Sequence, residues 1–276
     1  MGMCFGVRDA LQIAADVADP SQVTIHGELV HNPAVTRRLE NAGFYQSSER
    51  DRTTCPPTPL VLITAHGVSC RERKRLRNEG KEIIDTTCPL VRRVHDAALE
   101  LASEGRHILL VGKPGHVEVC GIIEDLSSFD VIDTQSSVRT YEQSRLGIVC
   151  QTTMPSDIVD EVRDEVEKLN PTADIRFVDT VCHPTKRRQQ AMLDLVKQVD
   201  FVVVVGGRNS NNTKRLVQLC QKNDTPAMHV TCADEIDSDW IGDAETIGLT
   251  AGTSTLDETI NEVEMRLKEI AEKKTR

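Results

Sequence analysis

Ile83-Ile84-Asp85-Thr86-Thr87-Cys88-Pro89 and Phe177-Val178-Asp179-Thr180-Val181-Cys182-His183-Pro184 are one word written twice. In each, an apolar strand runs into Asp-Thr, one residue separates the threonine from a cysteine, and a proline and a basic helix start follow. Cys4 likewise opens a helical pattern, over 7–18. The intervals from Cys4 to Cys88 and from Cys88 to Cys182 are 84 and 94 residues. That period is too long for a solenoid unit and predicts three related α/β lobes, at 1–87, 88–181 and 182–276.

Outward from these words the same grammar continues. Strands are predicted at 23–26, 60–64, 82–85, 107–111, 146–150, 175–179, 201–205 and 246–250. Several are short, nearly continuous apolar runs, as in strands covered on both faces. Helical periodicity falls between them, at 35–40, 71–78, 91–104, 156–169, 187–198, 212–221 and 256–273. Such alternation implies parallel βαβ units with right-handed crossovers, an α/β fold class.

Composition narrows the function. The chain has 276 residues, 39% hydrophobic and 28% charged, the balance of a globular protein with a packed core. Its longest apolar run, at 201–205, is far short of a membrane span. No basic and then apolar leader opens it, so a cytoplasmic location is expected. Aromatics at 3% and a net charge of −10 argue against a nucleic-acid partner. The run 71–77, rich in Arg and Lys, reads as a solvated helix face with Glu72 and Glu79 interspersed. Val205-Gly206-Gly207-Arg208 follows a strand but matches neither the dinucleotide nor the Walker pattern.

Nine cysteines form an odd set for such a chain. No pair has C-x-x-C spacing, which disfavours a zinc ribbon, a thioredoxin motif and a ferredoxin-type run. Cys4, Cys88 and Cys182 stand apart because each opens a helix, where a thiolate is favoured over a thiol. Three thiolates without a fourth suit an iron–sulfur cluster with one open iron, or a catalytic zinc with one open position. Cys55, Cys70, Cys120, Cys150, Cys220 and Cys232 read as small buried hydrophobes.

In an open α/β sheet, ligands collect beyond the carboxyl ends of the strands. The loops there, at 27–32, 65–69, 112–118, 151–155, 206–212 and 251–255, hold His31, Asn32, His66, His116, Glu118, Thr152, Thr153, Asn209, Ser210, Asn211, Asn212, Thr253 and Ser254. Hydroxyls and amides at helix starts, with three histidines, suit a small phosphorylated anion. The same residues also serve as ordinary N-caps.

Nine motifs in order carry a resemblance along nearly the whole chain. They are G-M-C-F-G-V at the start, L-V-H-N at 29–32, A-H-G-V-S at 65–69, D-T-T-C-P-L-V at 85–91 and G-H-V-E-V at 115–119. Q-T-T at 151–153, D-T-V-C at 179–182, N-S-N-N at 209–212 and T-A-G-T-S at 250–254 complete them. The sequence resembles the 4-hydroxy-3-methylbut-2-enyl diphosphate reductase (LytB) family of the non-mevalonate isoprenoid pathway.

The resemblance implies a pseudo-threefold trefoil of lobes around a [4Fe–4S] cluster held by Cys4, Cys88 and Cys182, with one iron open. It implies a diphosphate pocket of His31, His66, His116, Ser210, Asn211, Asn212 and Ser254. Glu118 would be the proton-delivering carboxylate, with Thr152 beside the substrate hydroxyl and His116 close to both. The reaction would be a reductive dehydroxylation giving isopentenyl and dimethylallyl diphosphate, with a ferredoxin or flavodoxin-type electron donor. Departures from the family pattern occur at Val117, where proline is common, at Cys120, where glutamate is common, and at Asn211, in place of a serine. Competing readings are a related iron–sulfur protein acting on another substrate, a non-catalytic redox or iron sensor, and a zinc hydrolase.

Overall fold

The computed structural model describes residues 2–48 and 54–274. Its helices are α1 (Phe5–Ala15), α2 (Pro33–Asn41), α3 (Cys70–Asn78), α4 (Pro89–Ser103), α5 (Val117–Ile123), α6 (Ser156–Leu169), α7 (His183–Leu195), α8 (Asn211–Lys222), α9 (Ser238–Ile241) and α10 (Asp257–Lys274). The strands fall into three sheets. β1 (Val23–His26), β2 (Tyr45–Gln46), β3 (Leu60–Ile63) and β4 (Glu82–Asp85) form the first, in the order β2-β1-β3-β4. β5 (His107–Val111), β6 (Phe129–Ile132), β7 (Arg145–Cys150) and β8 (Asp174–Phe177) form the second, in the order β6-β5-β7-β8. β9 (Phe201–Val205), β10 (Ala227–Val230) and β11 (Ile247–Ala251) form the third, in the order β10-β9-β11. Every pairing is parallel. The first two sheets therefore share one strand order, and the third repeats its first three places among the described residues.

The inner strands are the continuous apolar runs. Ile108 to Val111 and Val202 to Val205 are wholly buried, because helices cover both faces of a parallel sheet. At about 1.5–3 kcal/mol for each fully buried aliphatic side chain, these short strands anchor their sheets. The opposite edges β4, β8 and β11 are read from the sequence, but the edge strands β2, β6 and β10 escape it. Each pairs on one side only and mixes polar with apolar residues: Tyr45 is 52% exposed, and β6 carries Asp130.

The chain divides into two compact units. One comprises Arg8–Val30 and Val35–Cys182 and carries the first two sheets. The other comprises Met1–Val7, His31–Ala34 and His183–Arg276 and carries the third. The start of the chain thus belongs with its last sheet: Arg188 donates from Nη1 to the carbonyl of Ala251 at 2.9 Å and from Nη2 to that of Gly2 at 2.8 Å.

Hydrogen bonds account for the Asp-Thr-x-Cys word. The Asp85 carboxylate accepts the Thr87 N–H at 2.9 Å, and that of Asp179 accepts the Val181 N–H at 3.2 Å, each making a tight turn at the end of a strand. The threonine hydroxyl then hooks onto the last carbonyl of the neighbouring strand: Thr86 onto Ile63 of β3 and Thr180 onto Cys150 of β7, both at 2.6 Å. The turn delivers the cysteine to the start of the next helix, and Pro89 and Pro184 follow within its first turn, where no N–H is required of them.

Candidate active site

The three cysteines share one backbone setting. Cys88 donates its N–H to the carbonyl of Ala65 at 3.1 Å, Cys182 to that of Thr152 at 3.0 Å, and Cys4 to that of Thr253 at 3.0 Å. Each acceptor lies two residues beyond the end of the third strand of its sheet, namely β3, β7 and β11. Cys4 therefore occupies in the third sheet the place that Cys88 and Cys182 occupy in the first two. All three are half-buried, each stands immediately before a helix, and no cysteine of the chain is in a disulfide.

The other six thiols correct a sequence expectation. Cys150 and Cys220 are buried as expected, but Cys55, Cys70 and Cys120 are exposed and Cys232 is half-buried. Cys70 and Cys120 sit on the water-facing sides of α3 and α5, which have their apolar residues on the other face.

In the larger unit the chemistry gathers around Glu118. The residue lies in the first turn of α5, a helix where the sequence suggested a loop, and it is 2% exposed. Oε1 accepts the Thr152 N–H at 2.7 Å and Oε2 accepts the Thr152 hydroxyl at 2.9 Å. His116 is the N-cap of α5: its Nδ1 accepts the Glu118 N–H at 3.2 Å, which leaves the proton of a neutral ring on Nε2. The rings of His116 and His66 meet edge to face, with centroids 5.7 Å apart. Val117 takes the first helical position, which suits proline equally well, so this departure from the family pattern leaves the helix start intact.

Gln151 is a supporting residue that sequence reasoning passed over. Wholly buried, it accepts the Lys113 N–H on Oε1 at 2.9 Å and so fixes the turn leading to His116. Its only sequence signal was its place in Q-T-T.

In the smaller unit lies a second polar constellation. Ser210, Asn211, Asn212 and Ser254 are all buried, and His31 is half-buried. Ser210 caps α8 by accepting the Thr213 N–H. Asn32 Nδ2 donates to the Ser254 carbonyl at 2.6 Å, and the Ser254 hydroxyl donates to the His31 carbonyl at 3.2 Å, so segment 31–34 is stitched to the loop after β11. Gly207 is needed for that fit, because a Cβ there would stand 2.7 Å from the His31 carbonyl oxygen. Asn212 Nδ2 and Thr213 Oγ1 are buried without a hydrogen-bond partner among the described residues. Buried donors left open in this way cost stability unless a ligand satisfies them.

Two polar constellations and three equivalent cysteines invite comparison with known proteins. A family model described as LytB protein matches residues 1–268. The chain belongs to the LytB family. The 4-hydroxy-3-methylbut-2-enyl diphosphate reductase of Aquifex aeolicus is 32% identical over 278 residues, covering 98% of this chain and 94% of that protein. The enzyme of the same name from Vibrio cholerae is 33% identical, over 98% of this chain and 88% of its own length. Among solved structures, the E-1-hydroxy-2-methyl-but-2-enyl-4-diphosphate reductase of Plasmodium falciparum superposes with a TM-score of 0.88 at 26% identity, covering 97% of this chain and 85% of that one. The α/β class with parallel sheets read from the sequence is thus the class of the structure.

LytB proteins are iron–sulfur enzymes of the non-mevalonate isoprenoid pathway. The residues present fit such a group. Soft thiolates are the donors it takes, and this chain offers three at equivalent positions, each held by its own backbone N–H. Among the described residues no three His, Cys, Asp or Glu side chains are gathered closely enough to hold a metal ion, which favours neither the cluster nor the zinc reading.

Proposed function

We propose that the protein is a 4-hydroxy-3-methylbut-2-enyl diphosphate reductase that removes the allylic hydroxyl of its substrate as water and yields isopentenyl and dimethylallyl diphosphate. The observation that carries this reading is the anchoring of Glu118. A redox or iron sensor needs the cysteines, but it has no use for a buried carboxylate with both oxygens fixed by one threonine.

Two electrons and two protons enter, one C–O bond breaks, and water leaves. Cys4, Cys88 and Cys182 would hold a [4Fe–4S] cluster, which would supply the electrons and a Lewis acid for the departing oxygen. The chain's own residues do the rest. His31, His66, His116, Ser210, Asn211, Asn212 and Ser254 bind the diphosphate, with Asn212 Nδ2 as one donor still to be satisfied. The N-termini of α5 and α8 add partial positive charge, which spares the site a lysine or arginine. Glu118 gives its proton toward the leaving oxygen, and the Thr152 hydroxyl, 2.9 Å from Oε2, relays it or orients the substrate. Burial of Glu118 and Thr152 keeps bulk water from competing for that proton.

The three lobes, at 1–87, 88–181 and 182–276, are read as contributing one cysteine each. A cytoplasmic location accords with nine cysteines and no disulfide. No helix among the described residues is long and apolar enough to cross a membrane.

The test is anaerobic reconstitution with iron and sulfide, followed by assay with reduced methyl viologen and the hydroxymethylbutenyl diphosphate. Release of the two isoprenoid diphosphates is expected. A protein that carries iron and sulfide yet leaves this substrate unchanged would refute the reading.

A further inference from the structure

The run Arg71-Glu72-Arg73-Lys74-Arg75-Leu76-Arg77 on α3 reads in sequence as a helix face whose glutamates dilute its cations. The structure removes the glutamates from that face. Glu72 is 6% exposed, with Oε1 2.8 Å from His26 Nε2 and both carboxylate oxygens bonded by Arg75 at 2.7 Å. Arg75 also reaches Glu79 at 2.6 Å, so this one arginine and His26 account for both acids. Arg71, Lys74 and Arg77 remain, spaced three residues apart along one exposed stripe. None of these three side chains has a hydrogen-bond or ion-pair partner among the described residues.

The stripe leads to a cysteine. Arg73, on the same helix, pairs with Asp85 and donates to the Thr87 hydroxyl at 3.0 Å, one residue before Cys88. Asp85 also pairs at 2.9 Å with Arg92, which is half exposed on α4, the helix that Cys88 caps. Apart from Asp125, whose carboxylate accepts the N–H groups of Cys70 and Arg71 at the start of α3, a basic patch thus abuts the Cys88 corner of a chain whose net charge is −10.

A reductase must be supplied with electrons, and the sequence has no dinucleotide-binding motif with which to take them from a nicotinamide. We propose that Arg71, Lys74 and Arg77, with Arg92 beside them, form the docking surface for an acidic one-electron carrier protein. This deepens the reductase reading and rests on it. An acidic carrier is repelled by most of this anionic chain and attracted at this patch, so the field selects an orientation as well as a partner. Nucleic acid is the poorer occupant, since the chain has 2 tyrosines, 1 tryptophan and 5 phenylalanines with which to stack bases.

The probe is flavodoxin. In the holoenzyme, the triple variant Arg71→Gln, Lys74→Gln, Arg77→Gln should raise the KM for reduced flavodoxin about tenfold and flatten its rise with salt. The rate with methyl viologen should stay unchanged. Binding of oxidised flavodoxin, read without turnover, should weaken by a similar factor. The matched variant Arg266→Gln, Lys268→Gln, Lys273→Gln on α10 should alter neither. The proposal is overturned if the α3 variant keeps the parent's flavodoxin KM and affinity. It is also overturned if both donors lose rate equally, or if a single-stranded RNA outcompetes flavodoxin for the patch. Failure of the viologen assay in the parent would instead sink the reductase reading, and the binding measurement would still judge the docking surface.

Discussion

Thr152 holds Glu118 by both carboxylate oxygens, through its backbone N–H at 2.7 Å and its hydroxyl at 2.9 Å, while its own carbonyl receives the N–H of Cys182 at 3.0 Å. One residue therefore sets the acid and the seat of a thiolate together. A shift of the Q-T-T loop displaces both, so the proposed proton donor and one proposed cluster ligand move together.

Glu118→Gln isolates the proton. The amide oxygen can accept the Thr152 N–H and the amide nitrogen can donate to the Thr152 hydroxyl, so the packing survives while the acidity is lost. Turnover should fall by about 10²–10⁴-fold with iron content and KM little changed. Thr152→Val removes one of the two anchors and should cost less, about tenfold to a hundredfold in kcat. Steady-state kinetics with iron analysis on both variants decide this; unchanged turnover in Glu118→Gln would remove the acid role.

Gly207→Ala tests the stitching of segment 31–34. The added methyl meets the His31 carbonyl oxygen, a backbone atom with no freedom to swing aside. A loss of about 1–3 kcal/mol is expected, seen as a lower Tm, together with a raised KM for the diphosphate. An unchanged Tm and KM would mean that the segment yields without cost.

Acid should expose the buried cluster under α3. Burial alone would raise the Glu72 carboxyl, but the Arg75 hydrogen bonds and the nearby charges of His26 and Arg75 outweigh it and hold the group below the usual carboxylate range. The resulting stability is present above the unfolded value, about 4.3, and is lost as pH falls through the lower folded value. Glu72→Gln should be less stable than the parent by about 1.5–3 kcal/mol at pH 7, and the gap should close below about pH 4. Urea denaturation at pH 7, 5 and 3.5 measures it; a constant gap would contradict the assignment.

Thiol chemistry separates the cysteines. Burial pushes the Cys220 thiol up to about 11, which leaves about one thiolate in a thousand at pH 8. Iodoacetamide on the folded protein should label the exposed Cys55 and Cys120 and spare Cys150 and Cys220 until denaturant is added. Cys70, although exposed, should react slowly, because burial of its thiol and the neighbouring Asp125 carboxylate both raise it. Peptide mass spectrometry reads the order; early modification of Cys220 would contradict its packing.

The parts of the fold that the sequence reveals are those where one residue type answers one constraint. Continuous aliphatic runs marked the inner strands β5 and β9, and β1 and the edge strand β4 also begin and end where the sequence places them. The edge strands β2, β6 and β10 and the helix α5 were hidden, since half-covered elements tolerate Asp130, Gln46 or Cys120 and lose their period. The candidate site shows in the sequence as a set of types: the cysteines by repetition, the amides and histidines by position after strands. Its geometry was not, because Asn32 finds Ser254 across 222 positions and Thr152 finds Glu118 across 34. Spacing along the chain carries no record of such meetings. The basic run on α3 shows the converse: its letters suggested a balance of charges that the burial of Glu72 removes.

Cys4 takes its backbone bond from Thr253, and Gly2 is held by Arg188. During synthesis the first of the three thiols leaves the ribosome early, yet its partner emerges only after nearly the whole chain. At roughly 5–20 residues per second, that wait is on the order of tens of seconds. Through that interval Cys4 has no seat, whereas Cys88 and Cys182 can settle on β3 and β7 as soon as their own sheets close. On the proposed assignment of the three thiolates to one metal group, its retention waits for β11, and a nascent chain stalled before that strand should emerge able to bury Glu118 but unable to retain iron.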